Sequence, residues 1–244
     1  MILGILLSAS AEKILECGVF GVFRWRSLLN LLFKSECNLC RRDSLTPICD
    51  RCQTKLDRLQ HRSRERLQRL SLPVWVWGQY RDELKQAITM MKYNNRPQIG
   101  DHLGEHLGRM WLQQVKVGQR QHPPITVVPL PMHVTKRRDR GFDQAEIIAQ
   151  GFCRATNLPL VNQGLRRIRP TQALFDLSPS ERQRELDRAL QIGAARAELK
   201  RLDRPILLID DIFTTGATAQ AGATALRSAG FSVYGLAAIA TTTR

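Results

Sequence analysis

The chain has 244 residues, of which 43% are hydrophobic and 6% aromatic, a composition that excludes an intrinsically disordered or membrane-embedded protein. Lysine and arginine total 37 against 22 aspartate and glutamate residues, so the formal net charge is +15. This excess favours an anionic partner, either nucleic acid or a phosphorylated metabolite. The length suffices for one domain of good size and a small additional segment.

The chain begins with an apolar, potentially helical segment over residues 1–35. Its first residues, MILGILLSAS, lack a preceding basic region and are too short to span a bilayer. We therefore expect no signal peptide, no stable membrane insertion and a cytoplasmic location. The leucines near Trp25 leave two interpretations open: packing against the rest of the chain, or a weak contact with a membrane surface.

Four cysteines follow in a doubled C-x2-C pattern: Cys37, Cys40, Cys49 and Cys52. Two such pairs can offer four thiolates to a tetrahedral Zn²⁺ with no open position, so the pattern predicts a structural and not a catalytic zinc site. Two redox or disulfide pairs are the alternative. Thiolate ligands also imply a reducing compartment.

Residues 36–72 combine this cysteine segment with an arginine-rich stretch that we expect to be a helical connector. Over residues 73–244, apolar segments alternate with helical patterns. This alternation predicts an α/β fold with a parallel sheet flanked by helices. The strands are predicted at 73–80, 125–131, 158–167, 205–211 and 231–241, and the helices at 83–92, 101–115, 143–156 and 217–228.

One helical pattern contains a potential metal motif. His102, Glu105 and His106 have the H-x-x-E-H spacing of a metallopeptidase helix. The surrounding residues form an ordinary amphipathic pattern with Leu103 and Leu107 on the apolar side. We therefore expect a structural helix without protease chemistry.

The stretch ILLIDDIFTTGAT, residues 206–218, places Asp210 and Asp211 directly after four aliphatic residues. Such a run is typical of a central parallel strand, and ligands bind at the carboxyl ends of such strands. The small hydroxylated loop that follows can cradle a phosphate at the start of the next helix. Its residues are Thr214, Thr215, Gly216, Ala217 and Thr218. The carboxylates suit ribose hydroxyls or Mg²⁺, so the stretch predicts binding of a ribose 5-phosphate.

The stretch LLIDDIFTTGAT resembles the phosphoribosyl pyrophosphate (PRPP) motif of type I phosphoribosyltransferases. With the four-cysteine segment and VVPLPMHVTKRRDRGFDQAEIIA, the chain from about Cys37 to its C-terminus resembles the ComF family of competence-associated proteins. Asp143 stands where that family usually has Asn. The resemblance implies a type I phosphoribosyltransferase fold with a zinc segment, PRPP bound with Mg²⁺, and a role in DNA uptake and natural transformation.

The resemblance also implies a role for individual residues. Asp210 and Asp211 would be the catalytic pair and meet the ribose hydroxyls, while residues 214–218 hold the 5-phosphate. Residues 128–133, including Pro131 and His133, would form the pyrophosphate loop. The mobile lid would contribute Arg166, Arg167, Arg169 and Gln172.

Two functions of different classes remain open. The first is a competence protein that binds PRPP and single-stranded DNA and has partners in the competence machinery, such as a ComF helicase. Its basic side chains could follow a phosphate backbone, with Trp75, Trp77 or Tyr80 as base-stacking platforms. The basic residues are Lys136, Arg137, Arg138 and Arg140. The alternative is an active phosphoribosyltransferase of purine or pyrimidine salvage, for which the sequence identifies neither a general base nor a nucleobase pocket.

Overall fold

The computed structural model describes residues 35–60, 72–116, 124–168 and 189–242. The apolar segment 1–34, the connector after residue 60, Arg169 and Gln172 lie outside these ranges. The strands are β1 (Ser35–Glu36), β2 (Asp43–Ser44), β3 (Val74–Gln79), β4 (Thr126–Pro129), β5 (Leu165–Arg167), β6 (Leu190–Ile192), β7 (Ile206–Phe213) and β8 (Val233–Thr241). The helices are α1 (Asp50–Asp57), α2 (Asp82–Tyr93), α3 (Pro97–Lys116), α4 (Val134–Arg140), α5 (Gln144–Thr156), α6 (Arg196–Leu202) and α7 (Ala217–Ser228).

The central sheet has four parallel strands in the order β3-β8-β7-β4. Side chains alternate between its two faces, as the pleat of a strand requires. In β7, Leu207 and Ile209 belong to one buried cluster, whereas Ile206 and Leu208 belong to the other. The aliphatic run is therefore buried on both faces, which confirms the predicted α/β class with a parallel sheet.

Helices cover both faces of this sheet. The side chains of α3 and α5 share the first cluster, and those of α6 and α7 share the second. Helices α3 and α5 approach closely because glycines face the partner helix. A Cβ atom on Gly104 would collide with the backbone carbonyl of Ile148, and one on Gly151 with that of Asp101. The architecture is consistent with a type I phosphoribosyltransferase-like fold.

The predicted strand at 158–167 is wrong as a continuous element. Leu160 makes a single parallel bridge with Val127 beside β4. The chain then turns at Gln163, which has a positive φ of 59°, and β5 pairs with β6 in a separate antiparallel ribbon. A left-handed residue interrupts an extended strand, so the two apolar parts of this stretch belong to different sheets.

Two other differences concern helices. Helix α3 begins at Pro97, before the predicted start at residue 101, because proline suits the first turn of a helix. Helix α4 was not predicted, since its seven residues, VTKRRDR, have no apolar periodicity. None of the helices in the described ranges is long and apolar enough to cross a membrane.

Candidate ribose-phosphate site and metal centre

The predicted phosphate loops leave the sheet from neighbouring strands. Strands β4 and β7 pair in parallel with Pro129 opposite Ile209, and the Leu130 N–H donates a hydrogen bond to the Ile209 carbonyl over 2.9 Å. The loop over residues 131–133 therefore starts beside Asp210. The structure thus brings the predicted pyrophosphate loop and the two acids to one edge of the sheet.

Asp210 is a partly buried acid at this edge. Its Oδ1 accepts a hydrogen bond from the backbone N–H of Asp211 over 2.8 Å. Burial and the adjacent Asp211 carboxylate raise the pKa of Asp210 to about 7, against the opposing effects of that hydrogen bond and of the cations Lys92 and Arg167. Asp210 therefore changes its charge near neutral pH.

Asp211 has a cationic partner that the sequence did not reveal. Lys92 Nζ lies 2.7 Å from Asp211 Oδ2, and both side chains are largely shielded, with exposed fractions of 17% and 16%. Lys92 belongs to the last turn of α2, so the C-terminal end of this helix lies at the acidic strand end. A lysine 119 residues away in sequence gives no local signal of this contact, because only the tertiary fold brings the two together.

The loop after β7 leads directly into helix α7. Gly216 is buried, has a φ of 81° and precedes the first helical residue. Thr214 and Thr215 are exposed, and Thr215 Oγ1 accepts a hydrogen bond from the Ala217 N–H over 3.4 Å. The first turn of α7 contains no acid. The remaining N–H groups of this turn and the positive dipole end of the helix favour an anion at this position.

Asp143 holds the 131–133 loop in place. Its Oδ2 accepts a hydrogen bond from the Met132 N–H over 2.8 Å, and its Oδ1 accepts one from the Ala145 N–H over 3.0 Å, at the start of α5. Burial raises the pKa of this carboxyl. An asparagine has a single acceptor oxygen. The departure from the usual Asn therefore lets one side chain accept from both segments through separate oxygens.

The β5–β6 ribbon carries the described part of the predicted lid. Arg166 donates a hydrogen bond to Gln191 Oε1 over 3.0 Å. Burial lowers the pKa of Arg167, and the negative charges of Asp210 and Asp143 oppose this effect. A cavity of about 550 Å³ separates the ribbon from the loop after β4, and its walls include Pro131, Met132, Arg137, Arg166 and Arg167. His133 caps α4, accepting a hydrogen bond from the Thr135 N–H.

The basic helix α4 follows this loop, and its cations differ in their surroundings. Arg137 makes a bidentate ion pair with Glu146, with both N–O distances at 2.8 Å. The Arg140 guanidinium lies over the ring of Tyr93. Lys136 and Arg138 are exposed. Two of the four predicted nucleic-acid contacts are thus engaged within the protein, and two point to solvent.

The predicted stacking platforms are wrong for two residues. Trp75 and Trp77 are buried on the face of the sheet that α3 and α5 cover. Trp75 contacts Trp111 of α3 edge to face, with ring centroids 6.2 Å apart. Tyr80 is partly buried against the same cluster. An aromatic strand residue facing a packed helix layer is not available to a base.

The four cysteines come together as the spacing predicts. Their Sγ atoms all lie within 4.8 Å of one another, close enough to bind one metal ion such as zinc. The Cys40 and Cys49 sulfurs are 3.6 Å apart, near the separation of about 3.8 Å that a tetrahedron with Zn–S bonds of about 2.3 Å requires. Although burial opposes it, hydrogen bonds from the backbone N–H groups of Cys49, Cys40 and Leu39 lower the pKa of Cys37 to about 6. None of these four cysteines forms a disulfide.

The two histidines of the H-x-x-E-H pattern attach this cysteine segment to α3. His102 Nε2 donates to Oε1 of Gln53 over 2.6 Å, and Nε2 of Gln53 lies 3.5 Å from His106 Nδ1. Burial and the neighbouring His106 lower the pKa of His102 to about 4, so this ring is neutral at neutral pH. Because Gln53 directly follows Cys52, these contacts join the candidate metal centre to the larger α/β unit.

A parallel sheet flanked by helices, with two acids and a small hydroxylated loop at its carboxyl edge and with four converging cysteines, is consistent with an α/β protein of the type I phosphoribosyltransferase-like fold with a candidate metal-binding segment. No protein-family model matches the chain. Competence protein F of Haemophilus influenzae is 25% identical over 229 residues, which cover 89% of this chain and 96% of that protein. Competence protein ComFC of Bacillus subtilis is 24% identical over 197 residues, which cover 79% of this chain and 72% of that protein.

A third relative is DNA utilization protein YhgH of Escherichia coli, which is 28% identical over 142 residues, 57% of this chain and 59% of that protein. The chain is thus homologous over most of its length to competence protein F and ComFC. These relatives confirm the resemblance to the ComF family.

The metal centre predicts the behaviour of a cysteine variant. Cys40→Ser changes a candidate ligand whose side chain is exposed, so its effect reports ligation and not packing. We expect zinc content, measured by atomic absorption after gel filtration, to fall from one ion per chain to nearly none. The melting temperature should fall with it, because metal binding supplies folding free energy. Cys153→Ala, outside the cluster, should keep its zinc; equal zinc in the two variants would contradict the assignment.

The pKa of Asp210 predicts how stability varies with pH. Its folded pKa of about 7 lies above the usual value near 3.8, so ionisation costs the folded protein stability as the pH rises from about 4 through 7. We expect Asp210→Asn to raise the free energy of unfolding in urea at pH 8 and to have little effect at pH 4. The exposed Asp203→Asn is the control. A gain of the same size at both pH values would show that Asp210 is not perturbed.

Proposed function

We propose that this chain is a protein of natural competence that binds PRPP at the carboxyl edge of its sheet and single-stranded DNA on the neighbouring helix α4. Its relatives bear names that refer to competence and to DNA utilization. The observation that carries the proposal is the pairing of β4 with β7, which places the 131–133 loop beside Asp210. One ligand with a ribose between two phosphate groups suits that arrangement.

Each part of PRPP has a chemically suitable partner in this proposal. Asp210 and Asp211 accept hydrogen bonds from the ribose hydroxyls, and residues 214–218 with the N-terminal end of α7 hold the 5-phosphate. The 131–133 loop, Arg166 and Arg167 lie on the side proposed for the pyrophosphate. The acids could also hold Mg²⁺, which would neutralise the pyrophosphate charge. Lys92 lowers the net negative charge at the site before any ligand arrives.

Titration calorimetry with PRPP and Mg²⁺ tests the ligand site. We expect the double variant Asp210→Asn with Asp211→Asn to weaken binding by at least about tenfold, because it removes charge-assisted hydrogen bonds worth roughly 1.5–3 kcal/mol each. Asp203→Asn changes an exposed acid before the amino end of β7 and should bind as the wild type does. Equal affinity in the double variant and the wild type would mean that PRPP does not use these acids.

An activity assay on the wild type and the same variants distinguishes a PRPP-binding protein from an active transferase. Transfer would break the bond between the anomeric carbon and pyrophosphate and form a bond to an acceptor. Pyrophosphate release with a panel of nucleobases therefore reports the alternative function. Binding without release for every base would support a regulatory or carrier role for PRPP. Variants returned to a deletion strain then link the site to transformation frequency.

The salt dependence of DNA binding tests the proposed strand surface. For Lys136→Ala with Arg138→Ala, we expect the slope of log K against log salt on a dT oligonucleotide to become shallower by about 1.4, since each single-strand phosphate contact contributes about 0.7. Arg201→Ala with Arg204→Ala removes the same charge from exposed positions before the amino end of β7. This control should leave the slope unchanged. A similar change in both double variants would indicate general attraction without a defined strand surface.

A further inference from the structure

An exposed tyrosine lies beside the candidate ribose-phosphate site. Among the large hydrophobic side chains that the described ranges leave exposed, Tyr93 is the sole aromatic one, with 75% of its surface accessible. It ends helix α2 and directly follows Lys92, the partner of Asp211. A ring with this much accessible surface remains available to a ligand.

A basic side chain contacts the ring of Tyr93. The Arg140 guanidinium carbon lies 5.3 Å from the ring centroid, a distance suited to a cation–π contact. This contact joins the C-terminal end of α2 to the C-terminal end of α4. It favours one position of the ring while most of the ring surface stays accessible. Exposed Lys136 and Arg138 on α4 add positive charge to the same part of the protein.

Single-stranded DNA combines the two chemistries that this surface can bind. Its phosphates suit the cations of α4, and its unpaired bases present π faces that stack on aromatic rings. A free nucleobase, by contrast, gains affinity by being largely enclosed, and the exposure of Tyr93 does not provide such an enclosure. Duplex DNA keeps its base faces inside the stack. The combination of an open ring and nearby cations therefore favours a single strand.

We propose that Tyr93 is a stacking platform for a base of single-stranded DNA, with Arg140 supporting the ring and Lys136 and Arg138 contacting the backbone. This inference rests on the proposed DNA binding. It adds a stacking contact between a base and the Tyr93 ring, which the charged side chains alone do not provide. The strand would pass over the edge of the candidate PRPP site, because Tyr93 adjoins Lys92. The surface consists of residues from α2 and α4.

Fluorescence anisotropy with a labelled dT oligonucleotide tests the platform. We expect Tyr93→Ala to raise the Kd by about 5- to 150-fold, the range that corresponds to the loss of a base–aromatic stack. Tyr93→Phe should restore most of the affinity, because it keeps the ring. The salt slope should be the same in all three proteins, since no charge is removed. Leu45→Ala, at an exposed apolar residue in the cysteine segment, controls for lost surface area.

Two further ligands distinguish stacking from other contributions. An abasic oligonucleotide and a long duplex should bind wild type and Tyr93→Ala nearly equally, because the first has no bases and the second keeps all but its terminal base faces inside the stack. The inference is overturned if Tyr93→Ala binds dT within twofold of wild type, if Tyr93→Phe is as weak as Tyr93→Ala, or if the abasic strand shows the same loss. A wild type that binds no single strand would instead refute the proposed DNA binding itself. A loss for free nucleotides but not for dT would make Tyr93 part of an acceptor site and also overturn the inference.

Discussion

Two adjacent carboxylates near the carboxyl end of a buried strand repel one another, and cations lie close to both of them. Asp211 is paired with Lys92, and the charges of Lys92 and Arg167 oppose the raised pKa of Asp210. Lys92 belongs to helix α2 and Arg167 to strand β5, two elements that are far apart in the sequence. The acidic strand end therefore depends on the positions of elements on either side of it. A dianionic edge without such cations would be a poor site for any phosphate ligand.

The loop after β4 is restrained by hydrogen bonds to two other elements. Its first residue after the strand is tied to β7 by the Leu130 hydrogen bond, and its middle is tied to α5 by Asp143. Backbone N–H groups bind an anion more favourably when their directions are set in advance. A cavity lies between this loop and the β5–β6 ribbon, so the two do not pack directly against each other there. At this edge of the sheet, the cavity thus has the restrained loop after β4 on one side and the β5–β6 ribbon on the other.

The cysteine segment is part of the same packed structure. Cys37, Cys52 and Leu56 belong to the cluster that also contains Trp77 and Leu84. Gln53 and the two histidines of α3 add polar contacts between the segment and the α/β unit. Metal binding would hence stabilise more than the cysteine loop alone. The two histidines of the H-x-x-E-H pattern therefore have a structural role, since both imidazole rings contact Gln53.

Local patterns in the sequence predicted the features that depend on neighbouring residues. The aliphatic run before Asp210 predicted a central strand with acids at its end, and the doubled C-x2-C spacing predicted the cysteine cluster, because both are properties of short segments. The sequence could not predict the Lys92–Asp211 pair, the burial of Trp75 and Trp77, the ion pair of Arg137 or the exposure of Tyr93. Those features depend on which helix covers which face of the sheet. Contacts between residues far apart in the chain are set by the packing of whole elements, and only the tertiary structure decided them.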